Sequence, residues 1–366
     1  MFLKNYRKHP PTLLTLFAVF GLVIIVLWTA NSVVAQTNKG TYLDFTGDGK
    51  TDWVTISPLT DSPGQPFRWK VLGNQTNSTP GAAFIRIFDY GSITDTILAG
   101  DYTGDRKTDL TVYRPGSQSI FYVAQFPTGT GGVTLERAVP WGTQSDGSFA
   151  QGDYDGDGKL DYTVTRRNDT GGLTWYMLGS NGNIMRAVNF GFSLGFNINT
   201  VLPGADFTGD GKDELVFTAD VNGSLTYYIG DAITGGLVLV RQWGYSDASL
   251  IDRNLPPADY TGDGKADFVA VRKNVNPMVW YILNPANNTS TATRFGFGLV
   301  NSGDKPDQPI RGDYDGDGRQ DIAVYRTSNH TFYVLRSSDG GIITQTWGED
   351  GDSALNIPYF VIFVNA

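Results

Sequence analysis

A nine-residue segment, Asp313-Tyr314-Asp315-Gly316-Asp317-Gly318-Arg319-Gln320-Asp321, is one of six versions of the same pattern in this chain of 366 residues. The copies begin at Asp44, Asp101, Asp153, Asp206, Asp259 and Asp313, at separations of 57, 52, 53, 53 and 54 residues. A period of this size means one supersecondary unit per repeat, so the chain must fold as an array of like parts. Length alone would allow two domains; the repeats argue for one, from residue 36 to the end.

Each copy places oxygen side chains at positions 1, 3, 5 and 9. In the first loop these are Asp44, Thr46, Asp48 and Asp52; in the second, Asp101, Thr103, Asp105 and Asp109. The third has Asp153, Asp155, Asp157 and Asp161, and the fourth Asp206, Thr208, Asp210 and Glu214. The fifth has Asp259, Thr261, Asp263 and Asp267, and the sixth Asp313, Asp315, Asp317 and Asp321. Position 4 is always Gly, and position 6 is Gly in all but the second loop. Alternate carboxylates separated by glycine let a short backbone curl around one cation. Oxygen ligands without nitrogen or sulfur suit Ca²⁺, so up to six calcium ions are expected. Position 7 (Lys50, Lys107, Lys159, Lys212, Lys265 and Arg319) is expected to lend its backbone carbonyl and leave its charge in solvent.

An EF-hand begins alike but needs Glu at position 12 and then a helix. Here position 12 is Thr55, Val112, Val164, Phe217, Ala270 and Val324, and the residues that follow, such as Ile322-Ala323-Val324-Tyr325, read as a strand. Solvated Asp-Gly turns are the plainer alternative. Six copies in phase, each with an acid at position 9, argue against it. Two departures bear on affinity. Arg106 replaces the position-6 glycine, so the second site is predicted to be the weakest. Asp155 and Asp315 add a fourth carboxylate, so the third and sixth are predicted to be the tightest. Glu214 at position 9 is one methylene longer than the others.

Around each loop the chain reads alike. An incoming strand ends at position 1, and an alternating strand such as Leu110-Thr111-Val112-Tyr113 follows position 9. Next comes an aromatic strand marked by Trp69, Phe121-Tyr122, Trp175-Tyr176, Tyr227-Tyr228, Trp280-Tyr281 or Phe332-Tyr333. The last strand ends in an aromatic-Gly pair: Tyr90-Gly91, Trp141-Gly142, Phe190-Gly191, Trp243-Gly244, Phe295-Gly296 or Trp347-Gly348. Four antiparallel strands repeated six times predict an all-β, six-bladed β-propeller of four-stranded blades, with seven blades as the alternative. The recurrent aromatics are expected to pack between blades; a sugar-stacking platform is the lesser reading. The final segment, Asn356 to Val364, resembles an incoming strand without its loop and is expected to pair into the first blade and close the ring.

Asp-aromatic-(Thr/Asp)-Gly-Asp-Gly-Lys-x-Asp followed by a strand resembles the FG-GAP repeat family, also called VCBS-like repeats, the repeat of the integrin α-subunit propeller and of many exported bacterial proteins. The resemblance covers about residues 41 to 366. It implies a Ca²⁺-binding propeller with each site between the first two strands of a blade, and its ligand positions carry over onto all six loops. Function carries over weakly, because the family includes adhesion modules, lectins and domains attached to enzymes.

The N-terminus has a basic start (Lys4, Arg7, Lys8), an apolar run from Leu13 to Trp28, and small residues before Ala35. This predicts a signal peptide over residues 1–35 and a secreted or cell-surface protein. The alternative is an uncleaved membrane anchor over residues 13–34. There is no cysteine, which excludes disulfides and lipoprotein attachment. The formal charge is −9, and 20 of the 37 acidic residues lie at the loop positions above. The acidity is therefore mostly metal-site chemistry and argues against a nucleic-acid partner.

No catalytic constellation stands out. His330 is the one histidine after the leader and reads as a surface turn; zinc held by His and Cys is excluded by count. Paired carboxylates for glycoside hydrolysis, or a lyase using Ca²⁺ with a Lys, Arg or Tyr base, stay open. Arg311-Gly312-Asp313 spells a recognition tripeptide, but its Asp is a loop ligand. Asn74, Asn168 and Asn329 head Asn-x-Thr sequons. The expected function is a monomeric, non-catalytic module binding a protein or glycan. The alternatives are a polysaccharide-acting enzyme or a structural envelope protein.

Overall fold

The structure, a computed structural model, describes residues 40–59, 64–74, 84–127, 132–169, 172–182, 185–191, 198–245, 252–299 and 305–356. The leader with its alternative anchor, and the end of the chain from 357, lie outside them. Residues 37–366 form one compact unit.

The first repeat contributes β1 (Trp53–Pro58), β2 (Phe67–Leu72) and β3 (Ile85–Tyr90). The second contributes β4 (Thr96–Ile97), β5 (Leu110–Arg114), β6 (Ile120–Gln125) and β7 (Thr134–Pro140). The third is β8 (Ser148–Phe149), β9 (Tyr162–Arg167), β10 (Leu173–Leu178) and β11 (Met185–Asn189). The fourth is β12 (Ile198–Ala205), β13 (Glu214–Val221), β14 (Ser224–Gly230) and β15 (Leu237–Tyr245). The fifth is β16 (Asp252–Asn254), β17 (Phe268–Arg272), β18 (Val279–Asn284) and β19 (Thr289–Arg294). The sixth is β20 (Gln308–Ile310), β21 (Ile322–Arg326), β22 (Thr331–Leu335) and β23 (Ile342–Thr346), and β24 (Ser353–Ala354) follows.

These strands make six antiparallel four-stranded sheets, five of them simple meanders. The fold is a six-bladed β-propeller, not a seven-bladed one. The first sheet runs β24-β1-β2-β3, with Ala354 opposite Thr55 and Ser353 opposite Ile56. The innermost strand of the first blade thus comes from the end of the chain, and Leu355 N–H donates to the Val54 carbonyl at 3.0 Å. The segment expected to close the ring, Asn356 to Val364, lies outside the described residues beyond Asn356.

Burial falls from the inside of each blade outward. The second strands (β1, β5, β9, β13, β17 and β21) each carry at least four consecutive buried residues. In the outermost strand β3, exposed and half-buried residues alternate. The sequence of β5 alternates polar and apolar, which predicts one wet face; instead Thr111 is as buried as Val112. Adjacent blades stack face to face, so a second strand is covered on both sides. The aromatic positions do pack between blades: Trp69, Trp175 and Trp280 are fully buried. At roughly 25 cal/mol per Å² of apolar surface, aromatic burial on this scale dominates the stability of each interface.

The connector from each outer strand to the next blade also repeats. Gly91, Gly142 and Gly348 have positive φ, and an aspartate four residues later (Asp95, Asp146, Asp352) is buried. The carboxylate accepts the N–H of the residue after the glycine, for example Ser92 to Asp95 at 2.9 Å and Thr143 to Asp146 at 2.6 Å. An arginine late in the next blade's second strand clamps it: Arg114 on Asp95 with two bonds of 2.8 Å, and Arg166 on Asp146 at 2.7 Å. Arg326 clamps Asp307 in the same way. In the first blade Ser57 stands at the arginine's place and Lys70, on the neighbouring strand, binds Asp352 at 3.0 Å.

Candidate metal centres

Each nine-residue loop leads into the second strand of a blade, following the innermost strand in every blade but the first, and its first and last residues do most of the folding. The position-1 carboxylate caps the turn. Asp44 accepts N–H donors from Gly47 at 2.6 Å and Gly49 at 2.8 Å; Asp313 accepts from Gly316 at 2.6 Å and Gly318 at 2.8 Å. The position-9 carboxylate reaches back to the N–H of position 2: Phe45 to Asp52 at 2.8 Å, Tyr154 to Asp161 at 2.9 Å, Phe207 to Glu214 at 2.7 Å. The longer Glu214 makes the same contact as the aspartates. Position-4 glycines all have positive φ, from 77° at Gly47 to 83° at Gly104. Position 6 is also left-handed, at 78–88° in the glycine loops, and Arg106 is held there at 66°. A Cβ is strained in this region, which is why the other five loops use glycine.

Convergence separates the loops into two groups. Asp44, Asp48 and Asp52 bring one oxygen each within 4.8 Å of one another, as do Asp206, Asp210 and Glu214. So do Asp153, Asp155 and Asp161, and Asp313, Asp315 and Asp321. Among the described residues the second and fifth loops supply no such trio. In the fifth, Asp263 accepts the Asn284 amide at 2.8 Å. In the third and sixth, the carboxylate outside the trio is at position 5. Asp317 is engaged by Arg319 Nε at 2.9 Å and Ser337 Oγ at 2.9 Å, and Asp157 by Ser180 Oγ at 3.3 Å.

The electrostatics favour a cation. Burial first, and then repulsion from the neighbouring acids, raises the carboxyls of Asp52 and Glu214 to about 7, Asp161 to about 8 and Asp321 to about 6. The same causes raise Asp109 and Asp267 to about 7. Two desolvated carboxylates and a third nearer the surface, facing one another, fit a hard divalent ion, which would neutralise them and exchange its water for their oxygens. The third-position and fifth-position side chains lie at the exposed rim, and the first and ninth at the buried base.

A second segment reaches over the first, third and sixth sites, and the sequence pattern did not single it out. Small polar residues directly after the aromatic strand close onto the acids. Asn74 N–H donates to Asp52 at 2.8 Å, Ser180 N–H to Asp161 at 3.2 Å and Ser337 N–H to Asp321 at 2.7 Å. The legible signal is a Ser or Asn five residues after the buried Trp69, Trp175 or Phe332, two residues past the end of the strand. Asn74 is therefore a turn anchor: its side-chain amide donates to the Thr51 and Tyr314 carbonyls.

The six loops also hold one another. The position-8 N–H of each donates to the position-1 carbonyl of the loop before it. Thr108 donates to Asp44 (2.7 Å), Leu160 to Asp101 (2.8 Å) and Asp213 to Asp153 (2.8 Å). Ala266 donates to Asp206 (2.7 Å), Gln320 to Asp259 (2.8 Å), and Thr51 to Asp313 (2.7 Å) completes the circle. Each position-7 stem lies across the preceding loop's position-4 glycine. A methyl group on Gly47 would stand 2.7 Å from Lys107 Cε, and one on Gly316 would stand 3.0 Å from Lys50 Cγ. The expectation that these side chains stand free in solvent is corrected: their alkyl stems pack on the preceding glycine, and the Arg319 guanidinium turns back onto Asp317 and the Ser337 carbonyl. Position 4 is glycine for two reasons, its φ and the stem that crosses it.

His330 lies in a tight turn with φ 51°, its Nε2 3.1 Å from the exposed Asp350. In Arg311-Gly312-Asp313 the aspartate is only 4% exposed, and the Arg311 guanidinium stacks 4.0 Å from the centre of the Tyr42 ring. The tripeptide is part of the loop scaffold rather than a presented epitope.

No curated protein matches the chain. Among solved structures it is similar to Citrobacter koseri AztD, with 9% identity, 83% of this chain and 96% of that chain covered, and a TM-score of 0.37. It is also similar to a putative 6-phosphogluconolactonase from Bacteroides fragilis (11% identity, 85% and 99% covered, TM-score 0.36). A third similar structure is the rhamnogalacturonan lyase YesW (14% identity, 82% and 72% covered, TM-score 0.33). Scores this low carry no argument. The family model described as FG-GAP-like repeat matches residues 153–217, 206–270 and 259–324. With three matched repeats and one hydrogen-bonding pattern in all six loops, this chain belongs to the FG-GAP-like repeat family.

Proposed function

We propose that this protein is an exported, calcium-stabilised propeller that serves as a non-catalytic module for binding a protein or glycan. The observation that carries the metal part is the convergence in four loops of acidic trios, each with two buried members and one nearer the surface, within a closed hydrogen-bonded ring. Calcium bound there neutralises charge that burial has made costly and locks the loops against the sheets. Thr46, Asp48 and their counterparts would complete the shell, together with the position-7 carbonyls. The ring links the blades at their metal loops, which suits a rigid platform for recognition. Export follows from the basic-apolar-small pattern of residues 1–35.

Calcium titration by calorimetry tests the metal sites; no calcium uptake by metal-stripped protein sinks that part. Sequencing the N-terminus of the exported protein tests cleavage, and a start at Gln36 removes the anchor alternative. A glycan array and a pull-down with calcium-loaded protein test the binding role; no partner beyond background in either counts against it.

A further inference from the structure

Two grooves of the molecule are built from the same residue positions. One, of about 340 Å³, lies where the second blade meets the third and includes Trp141, Gly142, Arg166 and Tyr176. The other, of about 380 Å³, lies where the fourth meets the fifth and includes Trp243, Gly244, Arg272 and Tyr281. The strand registers match: Val164 opposes Tyr176 in the first, and Ala270 opposes Tyr281 in the second. An indole N–H crosses the blade boundary in both, from Trp141 to the Tyr176 carbonyl and from Trp243 to the Tyr281 carbonyl, each at 3.2 Å.

The other junctions lack part of this set. Tyr90 and Phe295 stand at the tryptophan position in the first-to-second and fifth-to-sixth junctions. The third-to-fourth has Phe190, with Ala219 at the arginine place. The sixth-to-first keeps Trp347 but has Ser57 and Lys70 for arginine and tyrosine. Tryptophan, arginine and tyrosine coincide only at the two junctions that carry these grooves.

We propose that these two grooves are saccharide subsites, each taking a neutral pyranose ring of a polysaccharide chain. This rests on the binding-module reading above and names its ligand and place. Half-buried tryptophan and tyrosine rings offer apolar faces to sugar C–H groups. The arginine is fixed by stacking, Arg166 at 4.7 Å from the Tyr176 ring centre and Arg272 at 4.9 Å from that of Tyr281. Asp146 neutralises the Arg166 charge at 2.7 Å, so that groove gains nothing by selecting an anion. Exposed Gln242 lines one groove and exposed Gln118 the other; Gln118 Nε2 donates to the Gly142 carbonyl at 3.1 Å, which leaves its amide oxygen to accept from a hydroxyl group. The volumes lie at the small end of the roughly 300–1,000 Å³ of small-molecule sites, which suits a short saccharide. Two subsites on one rigid body bind a repeating polymer with avidity.

The test is calorimetry and tryptophan fluorescence on the calcium-loaded full chain with cellopentaose, xylopentaose, maltopentaose and chitopentaose. At least one should bind at two sites per chain and quench emission. Trp141→Ala or Trp243→Ala should leave one site, and the double variant should lose about tenfold or more in affinity. Should the tryptophan variants fail to fold, Gln118→Ala with Gln242→Ala, both at exposed positions, should weaken binding in the same direction. Binding by none of the four sugars overturns the proposal. Binding that both double variants leave unchanged also overturns it, while leaving the binding-module reading intact. Capture of a protein partner with no sugar bound separates the two readings in the same way.

Discussion

Arg106→Gly should stabilise this protein. Arg106 is held at φ 66° where the corresponding glycines of the other loops lie at 78–88°. A left-handed residue with a Cβ costs roughly 1–2 kcal/mol. Glycine gives back about 0.5–1 kcal/mol through its looser unfolded chain. The backbone donation from residue 106 to Asp101, 2.8 Å long, survives the change. The net expectation is a gain of about 0.5–1 kcal/mol, or a melting temperature higher by roughly 1–2 °C in a domain of this size. The substitution also removes a positive charge beside Asp101, Asp105 and Asp109, so calcium should bind that loop more tightly. Gly49→Ala is the mirror experiment. Nothing lies within 4 Å of a Cβ placed there, so only its φ of 85° opposes the alanine, and about 1 kcal/mol should be lost. Scanning calorimetry of both variants, stripped and calcium-saturated, measures the pair. A destabilised Arg106→Gly, or a neutral Gly49→Ala, would refute the claim that position 6 is set by backbone conformation.

Two acids of the third loop should respond differently to truncation. Asp155→Ala should lower the melting temperature mainly when calcium is present, by RT ln(1+[L]/Kd) at that site, since without metal it loses one exposed bond from Asp157 N–H. Asp153→Ala should lower it in chelator too, by about 1–3 kcal/mol, because Gly156 and Gly158 lose their acceptor; equal behaviour of the two variants contradicts this. Acidification should act in opposite senses with and without metal. Burial raises Asp52 and Asp267 to about 7 and Asp161 to about 8 in the folded state, above the ordinary 3.8. Protonation therefore favours folding: that stabilisation is complete below the ordinary value and is lost as pH rises through about 7–8. The melting temperature of stripped protein should climb as pH falls from about 8.5 to about 5.5, and calcium-saturated protein should show the reverse; a stripped protein that melts lower on acidification refutes it. Gly104→Ala should cost about 1–2 kcal/mol, since its φ is 83° and its methyl would stand 2.5 Å from Lys159 Cε. Pairing it with Lys159→Ala should recover the steric share but not the conformational one, measurable as a double-mutant cycle by denaturant unfolding.

Much of this molecule was legible before any coordinates. Period, loop chemistry and strand count depend on local rules: carboxylates alternate to surround a cation, glycine marks left-handed backbone, and hydrophobic periodicity marks strands. These predict the blade, its repetition and the candidate ligands, because neighbours in sequence decide them. Other features needed the tertiary structure because they join residues about fifty or more positions apart. The Lys107 stem crosses Gly47, Ser353-Ala354 pairs with β1 of the first blade, and the polar Thr111 is buried as deeply as Val112 because a neighbouring blade covers its outer face. Which loops converge was likewise undecided by spacing. The second and fifth share the pattern of the first, yet their acids stay apart; in the fifth, Asn284 from the covering turn takes the Asp263 carboxylate. The sequence by itself determined the repeating unit, and packing between units decided how the ring closes, where the lysines lie and which sites gather their charge.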